Sequence, residues 1–361
     1  MTSTPHLLPL SVSLHSWNGD FSKIAFVATG SSDVSIYEVT FSKPTNAVFM
    51  YNQSLSVHAQ TIIGLDWCGV TNRIVTCSED CSVRVWHFNE TSKSWMEKIV
   101  HTTTRAVLSL HWSPDGQHIA LGHGQKAVSV CYFDESNQFW TDANSSIKKP
   151  HKSAVTSVAW SPNNQLVASG CTDCHVRVFN PSAKKVMADV IIPSWVDSLS
   201  FITNNEIVFS CHNSTLHFVT IEPYTHEVLT LKGLPESCIQ VVSQDVIVAG
   251  GYDRNPHLYK RSDDGTWSFY SALDQPKSKA TSALSKLTAS FEQVDVSGSA
   301  KKPDYSLNTI HQNTITCMSL IKGRVQKETS KDDVVSETLV TDTVLCTTSS
   351  DGKMVLWKLE L

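Results

Sequence analysis

One phrase returns along this chain: a small residue, one or two spacers, Asp, then a five-residue alternating pattern ending in an aromatic. It reads CSEDCSVRVW at 77–86, GCTDCHVRVF at 170–179 and TSSDGKMVLW at 348–357, with GSSDVSIYEV at 30–39 as a looser copy. Period-two alternation behind a tight polar turn is the pattern of a β-hairpin with a buried face. One such unit cannot bury that face alone. Repeated at a steady interval, it stacks against copies of itself, so the repeat constrains the fold more than length does.

Aligned on the turn residue, the copies fall at Asp33, Asp80, Gln125, Asp173, Asn213, Asp253 and Asp351, at intervals of 47, 45, 48, 40, 40 and 98. The first five bracket the roughly 40–45 residues of a four-stranded WD-repeat propeller blade. The last is long enough to hide an eighth blade, but nothing in 271–310 alternates like a strand or repeats the turn phrase, so it reads as an insertion. The expectation is one all-β domain over 1–361, a seven-bladed WD-repeat β-propeller with a helical insertion before the last blade. Alternating stretches such as TIIGLDW (61–67), AVLSLHW (106–112) and AVTSVAW (154–160) read as inner strands. The N-terminal segment 7–14 is expected to pair into the last blade and close the ring, removing a free sheet edge. A polar excursion at 321–340 reads as a solvated loop.

Composition narrows the function. Lys and Arg number 29 against 34 Asp and Glu, a net charge of −5. Nothing there attracts nucleic acid or an anionic membrane, and neither is expected as a partner. The N-terminus has no basic region ahead of an apolar run, and no stretch reaches the roughly 18 apolar residues of a spanning helix, so a soluble cytoplasmic protein is expected. The ten cysteines fall at blade positions such as Cys68, Cys77, Cys131, Cys171 and Cys346, which suit a small buried hydrophobe. Cys171 and Cys174 match C-x-x-C, but across a turn and with no second pair at zinc spacing, so neither metal nor cofactor is expected.

His58, Thr76, Asp80 and Trp86 recur in type as His311, Thr347, Asp351 and Trp357. A His, a hydroxyl and an Asp resemble a hydrolase triad. A nucleophile is not repeated once per blade, however. The better account is structural: Asp accepts from His, His meets the hydroxyl, and the hydroxyl accepts from the Trp N–H, leaving no buried polar group unpaired. In the fourth blade Phe179 has no N–H, so that network, built on His151, Ser169 and Asp173, is expected to be truncated. No P-loop, dinucleotide fingerprint, H-E-x-x-H or G-x-S-x-G occurs. No enzyme is expected.

The texture changes at 271–310, which is rich in Ser, Lys, Ala and Thr. Within it Leu284, Leu287, Phe291 and Val294 step by three, four and three, lining one face of an α-helix over about 282–296. Two uses of that face stay open: packing back on the propeller, or docking into a partner's groove. A short helix on polar tethers needs one surface or the other.

Several passages go beyond general WD-repeat grammar: GLDWCGVTNRIVTCSEDCSVRVW (64–86), AVSVCYFDESNQFW (127–140) and IKKPHKSAVTSVAWSPNNQLVASGCTDCHVRVF (147–179). With SSDGKMVLW in the last blade and an amphipathic insertion before it, they resemble the WD-repeat subunit family, subunit 1, of the actin-related protein 2/3 complex. The resemblance spans the chain, most clearly over 60–180, and departs from the family in the short connection MADVIIPSWVDSLSF. It implies a non-catalytic scaffold in an assembly that nucleates branched actin filaments. It also implies contacts with the other subunits, with nucleation-promoting factors and, through the insertion helix, with the actin filament. On that implication Leu284, Leu287, Phe291 and Val294 become the partner-binding residues. The rival is a generic WD-repeat adaptor, such as a ubiquitin-ligase substrate receptor.

Overall fold

The computed structural model describes residues 2–134, 136–137, 139–142, 151–275, 309–329 and 335–360. They form seven four-stranded antiparallel sheets and one two-stranded hairpin. Blade one runs outward through Val12–Trp17, Lys23–Ala28, Asp33–Lys43 and Asn46–Ser56, and blade two through Ile62–Cys68, Arg73–Ser78, Ser82–Asn89 and Ser94–Thr102. Blades three to six begin at the inner strands Val107–Trp112, Val155–Trp160, Val196–Phe201 and Glu236–Ser243. Blade seven combines Ile315–Ile321, Val344–Ser349 and Lys353–Lys358 with Thr2–Leu7 on its outside. The fold is a seven-bladed WD-repeat β-propeller.

The closing strand differs from expectation. It is Thr2–Leu7, paired from Thr2↔Lys358 to Leu7↔Lys353, and not 7–14. Residues of the 7–14 segment are needed elsewhere, because Val12–Trp17 is the inner strand of blade one. The closing strand contains Pro5, which an outermost strand tolerates because one side of its backbone has no ladder to feed.

The turn residue sits at the centre of the hairpin in six blades, as with Cys77↔Val83 around Asp80 and Gly170↔Val176 around Asp173. Blade one departs. Its pairing of Val27↔Val34 is centred between Gly30 and Ser31, so Asp33 is the first residue of a strand. Its side chain therefore does not occupy the place of Asp80. The excursion at 321–340 is a hairpin, Arg324–Thr329 with Val335–Val340, in place of the expected loop. Arg324 anchors it to blade one, its guanidinium 3.8 Å from the centre of the Phe41 ring. The proposed helix over 282–296, with Leu284, Leu287, Phe291 and Val294, lies outside the described residues.

Hydrophobic clusters bridge adjacent blades, so each blade's apolar faces are completed by its neighbours. A ladder of polar contacts joins the inner strands. The Trp67 amide donates to Ser16 Oγ at 2.9 Å, and the Trp112 amide to Asp66 at 2.8 Å. Blade one meets blade seven through His15, whose ring nitrogens lie 2.9 Å from Thr348 Oγ1 and 2.6 Å from Ser319 Oγ. Close approach decides one residue type. A Cβ on Gly170 would stand 2.5 Å from Val196 Cγ1, on the first strand of the next blade. Gly170→Ala is expected to cost about 1–3 kcal/mol through overpacking. Adding Val196→Ala should restore part of that in urea unfolding, and no recovery would refute the contact as the cause.

Candidate functional site: polar networks at the blade turns

The turn between second and third strands brings each network together. In blade two, Asp80 Oδ2 lies 2.9 Å from His58 Nδ1 and accepts from the Ala59 amide at 3.0 Å. Its Oδ1 accepts from the Ser82 amide at 2.9 Å and the Ser82 hydroxyl at 2.6 Å. His58 Nε2 is 2.8 Å from Thr76 Oγ1, which accepts from Trp86 Nε1 at 3.0 Å. One assignment fits all of these contacts. Nδ1–H donates to Asp80, the Thr76 hydroxyl donates to Nε2, and the Trp86 N–H donates to Thr76. Burial raises the Asp80 carboxyl, but the donors from Ser82, Ala59 and His58 outweigh it and hold it well below the carboxylate range. Burial lowers His58, against the pull of Asp80.

Blade seven repeats the inner half. His311 Nε2 is 2.8 Å from Thr347 Oγ1, and Trp357 Nε1 donates to that oxygen at 2.9 Å. The outer half is looser. His311 Nδ1 stands 3.7 Å from Asp351, an ion-pair separation too long for a hydrogen bond. Asp351 instead accepts from the Gln312 and Lys353 amides at 2.6 and 2.9 Å.

Blade four is rewired, where truncation was expected. Arg177 donates to His151 Nδ1 at 2.7 Å and to Asp173 at 3.3 Å, and the same Nδ1 still lies 3.3 Å from Asp173 Oδ1, the longer of its two contacts. An arginine is always a donor, so Nδ1 carries no proton and the imidazole is the opposite tautomer to that of His58. Nε2–H then donates to Ser169 Oγ at 2.7 Å. That donation supplies what the Trp N–H gives in blades two and seven, while the Phe179 ring packs edge-on against His151. Blade three keeps only the outer contact. With its amide oxygen turned inward, Gln125 accepts from the Thr104 and Arg105 amides at 2.9 and 3.0 Å.

The triad-like groups of blade two make a poor reaction centre. Thr76 is 0% exposed and its oxygen is already engaged on both sides. His151, Cys171 and Asp173 offer three metal-ligating atoms within 4.8 Å of one another. Their state does not fit a cation. Arg177 already brings positive charge to His151 and Asp173, and burial pushes the Cys171 thiol up to about 12, far from the thiolate a metal needs. Cys171 Sγ accepts from the Asp173 amide at 3.3 Å, and the neighbouring Cys174 is half-buried and free.

Sequence reasoning brought His58, Thr76, Asp80 and Trp86 together, and likewise His311, Thr347 and Trp357. It missed Ser82 and Arg177, the groups that complete the carboxylate's shell. The arginine of R-V-W and R-V-F, four residues after each turn Asp, was the available signal. Its use differs by blade, since Arg84 turns outward to Glu97 at 2.9 Å.

Seven four-stranded blades fastened at their turns define a WD-repeat β-propeller protein. Residues 50–87 and 144–180 match the family described as WD domain, G-beta repeat. Over 96% of its length the chain is 30% identical to actin-related protein 2/3 complex subunit 1A-A of Xenopus laevis, covering 93% of that protein. It is 28% identical to subunit 1B of Arabidopsis thaliana over 98% of this chain and 96% of that one. With subunit 1 of Schizosaccharomyces pombe the identity is 26% over 98% of both. The chain belongs to the actin-related protein 2/3 complex subunit 1 family.

Proposed function

We propose that this propeller is a non-catalytic scaffold subunit of an actin-related protein 2/3 complex, acting in the cytoplasmic actin cytoskeleton. It would hold other subunits of that complex, contact nucleation-promoting factors and support branched filament formation. The observation that carries this reading is kinship along 96% of the chain with proteins named as subunit 1 of that complex. The buried networks support it, because the contacts at the blade turns give the repeated His, Thr and Asp a fastening role. A net charge of −5 supports protein partners over nucleic acid or membrane. Affinity purification of the full chain tests the assembly. Recovery of actin-related proteins is expected, and a cullin-type partner in their place would favour the adaptor.

The amphipathic stripe Leu284, Leu287, Phe291 and Val294 is proposed as an arm reaching the filament. Leu287→Asp with Phe291→Asp is expected to leave the propeller's melting curve in place while lowering branch density at least about tenfold, as loss of an apolar anchor pair does. A variant that unfolds or fails to assemble would show instead that the stripe belongs to the fold.

A further inference from the structure

Blade six lacks the histidine altogether. Its turn residue Asp253 accepts from the Leu234 amide at 2.9 Å, as Asp80 accepts from Ala59, so Gly233 stands where His58 stands in blade two. The hydroxyl position, four residues before the turn Asp, is Ala249, and the Trp position is Tyr259. A cavity of about 520 Å³ opens between blades five and six, bordered by Gly233 and Asp253. Its walls include Leu229, Leu231, Tyr259 and the exposed Phe269. Glu236 lines it too and is only 1% exposed. His257 engages Glu236 Oε1 at 2.6 Å, and the Tyr259 hydroxyl lies 3.5 Å from the same oxygen. Glu236 Oε2 has no hydrogen-bond partner among the described residues.

A buried carboxylate oxygen without a donor is costly, and the cost is relieved by a donor entering from outside. The cavity tells what kind. Two carboxylates, Glu236 and Asp253, line it, with the exposed Lys232 and with His257, whose ring is already engaged by Glu236 Oε1. Aromatic faces at Tyr259 and Phe269 suit a flat cation, and the two leucines suit a methylene stem. We propose that this gap is a binding pocket for an arginine side chain presented by an extended segment of a partner protein. The guanidinium donates to Glu236 Oε2 and Asp253, and its plane lies against the Phe269 ring. A planar donor fork matches carboxylates better than an ammonium does. This site is independent of the filament arm and of the assembly reading above.

The test uses the full chain with methyl-labelled leucine, titrated with acetyl-arginine amide and with its neutral analogue acetyl-citrulline amide. Arginine should shift the Leu229 and Leu231 methyls saturably and bind at least about tenfold more tightly than citrulline, the loss expected when a charge-assisted pair becomes neutral. Glu236→Gln should erase that preference. Phe269→Ala, at an exposed position that leaves folding intact, should weaken arginine several-fold and keeps the test open if the glutamine variant does not fold. No saturable shift with arginine, or equal binding of the two probes to the wild-type chain, overturns the pocket.

Discussion

Moving this protein from neutral pH to about pH 5 is expected to remove several kcal/mol of its stability through buried histidines alone. Burial lowers His15 from 6.5 to about 3, and His123, His151 and His217 each to about 4. The folded state holds these rings neutral while the unfolded chain protonates them. Stability is therefore intact above 6.5 and falls as pH drops toward the folded values. At about pH 5 each ring contributes a loss on the order of 2 kcal/mol. His257 works the other way: burial lowers it, but its contact with Glu236 and the nearby Asp253 charge outweigh burial and raise it. The turn aspartates act in a separate window: Asp80, Asp173 and Asp351 are held below 3.8, so their contribution persists above that value and disappears only in stronger acid. Urea unfolding measured against pH gives the proton uptake directly. Two to four protons, about the number of such rings, are expected near pH 5. An uptake below about one would mean that these imidazoles are hydrated or paired in the fold.

Asp80→Ala is expected to cost about 3 kcal/mol, among the larger losses for a group only partly exposed. It strands His58, the Ala59 amide and both donors of Ser82 at once. Glu79→Ala, one residue away and exposed, should stay within about 0.5 kcal/mol. The equivalent change Asp351→Ala should cost less than Asp80→Ala, because His311 already stands 3.7 Å from that carboxylate. Equal losses in urea titrations would show that the amide contacts, common to both turns, set the cost and that the imidazole adds little.

The architecture was legible because blade turns are local. A small residue, an Asp and an alternating strand lie within ten positions of one another, and the register around Asp80, Asp173 and Asp351 follows from them. What failed depended on competition between distant segments. Residues 7–14 look like a strand and the segment before them contains Pro5, yet the inner place of blade one takes Val12–Trp17 and leaves Thr2–Leu7 to close the ring. Asp33 matched the phrase by composition, while a longer turn moved it into the strand. The site was legible in part. Phe179 announced a missing donor, but not that Arg177 would switch the tautomer of His151 to replace it. The pocket of blade six was written as an absence, a glycine where a histidine repeats, and a pattern search passes over what is not there.

The closing strand has a mechanical consequence. Thr2 faces Lys358 and Leu7 faces Lys353, so the outer two strands of blade seven run antiparallel with Thr2 and Lys358 side by side at one end of the sheet. Tension applied between them does not shear six residue pairs together. It peels them in turn, starting at Thr2 and Lys358, and each rupture needs only one pair's worth of force. A load carried through the blade faces meets no such zipper.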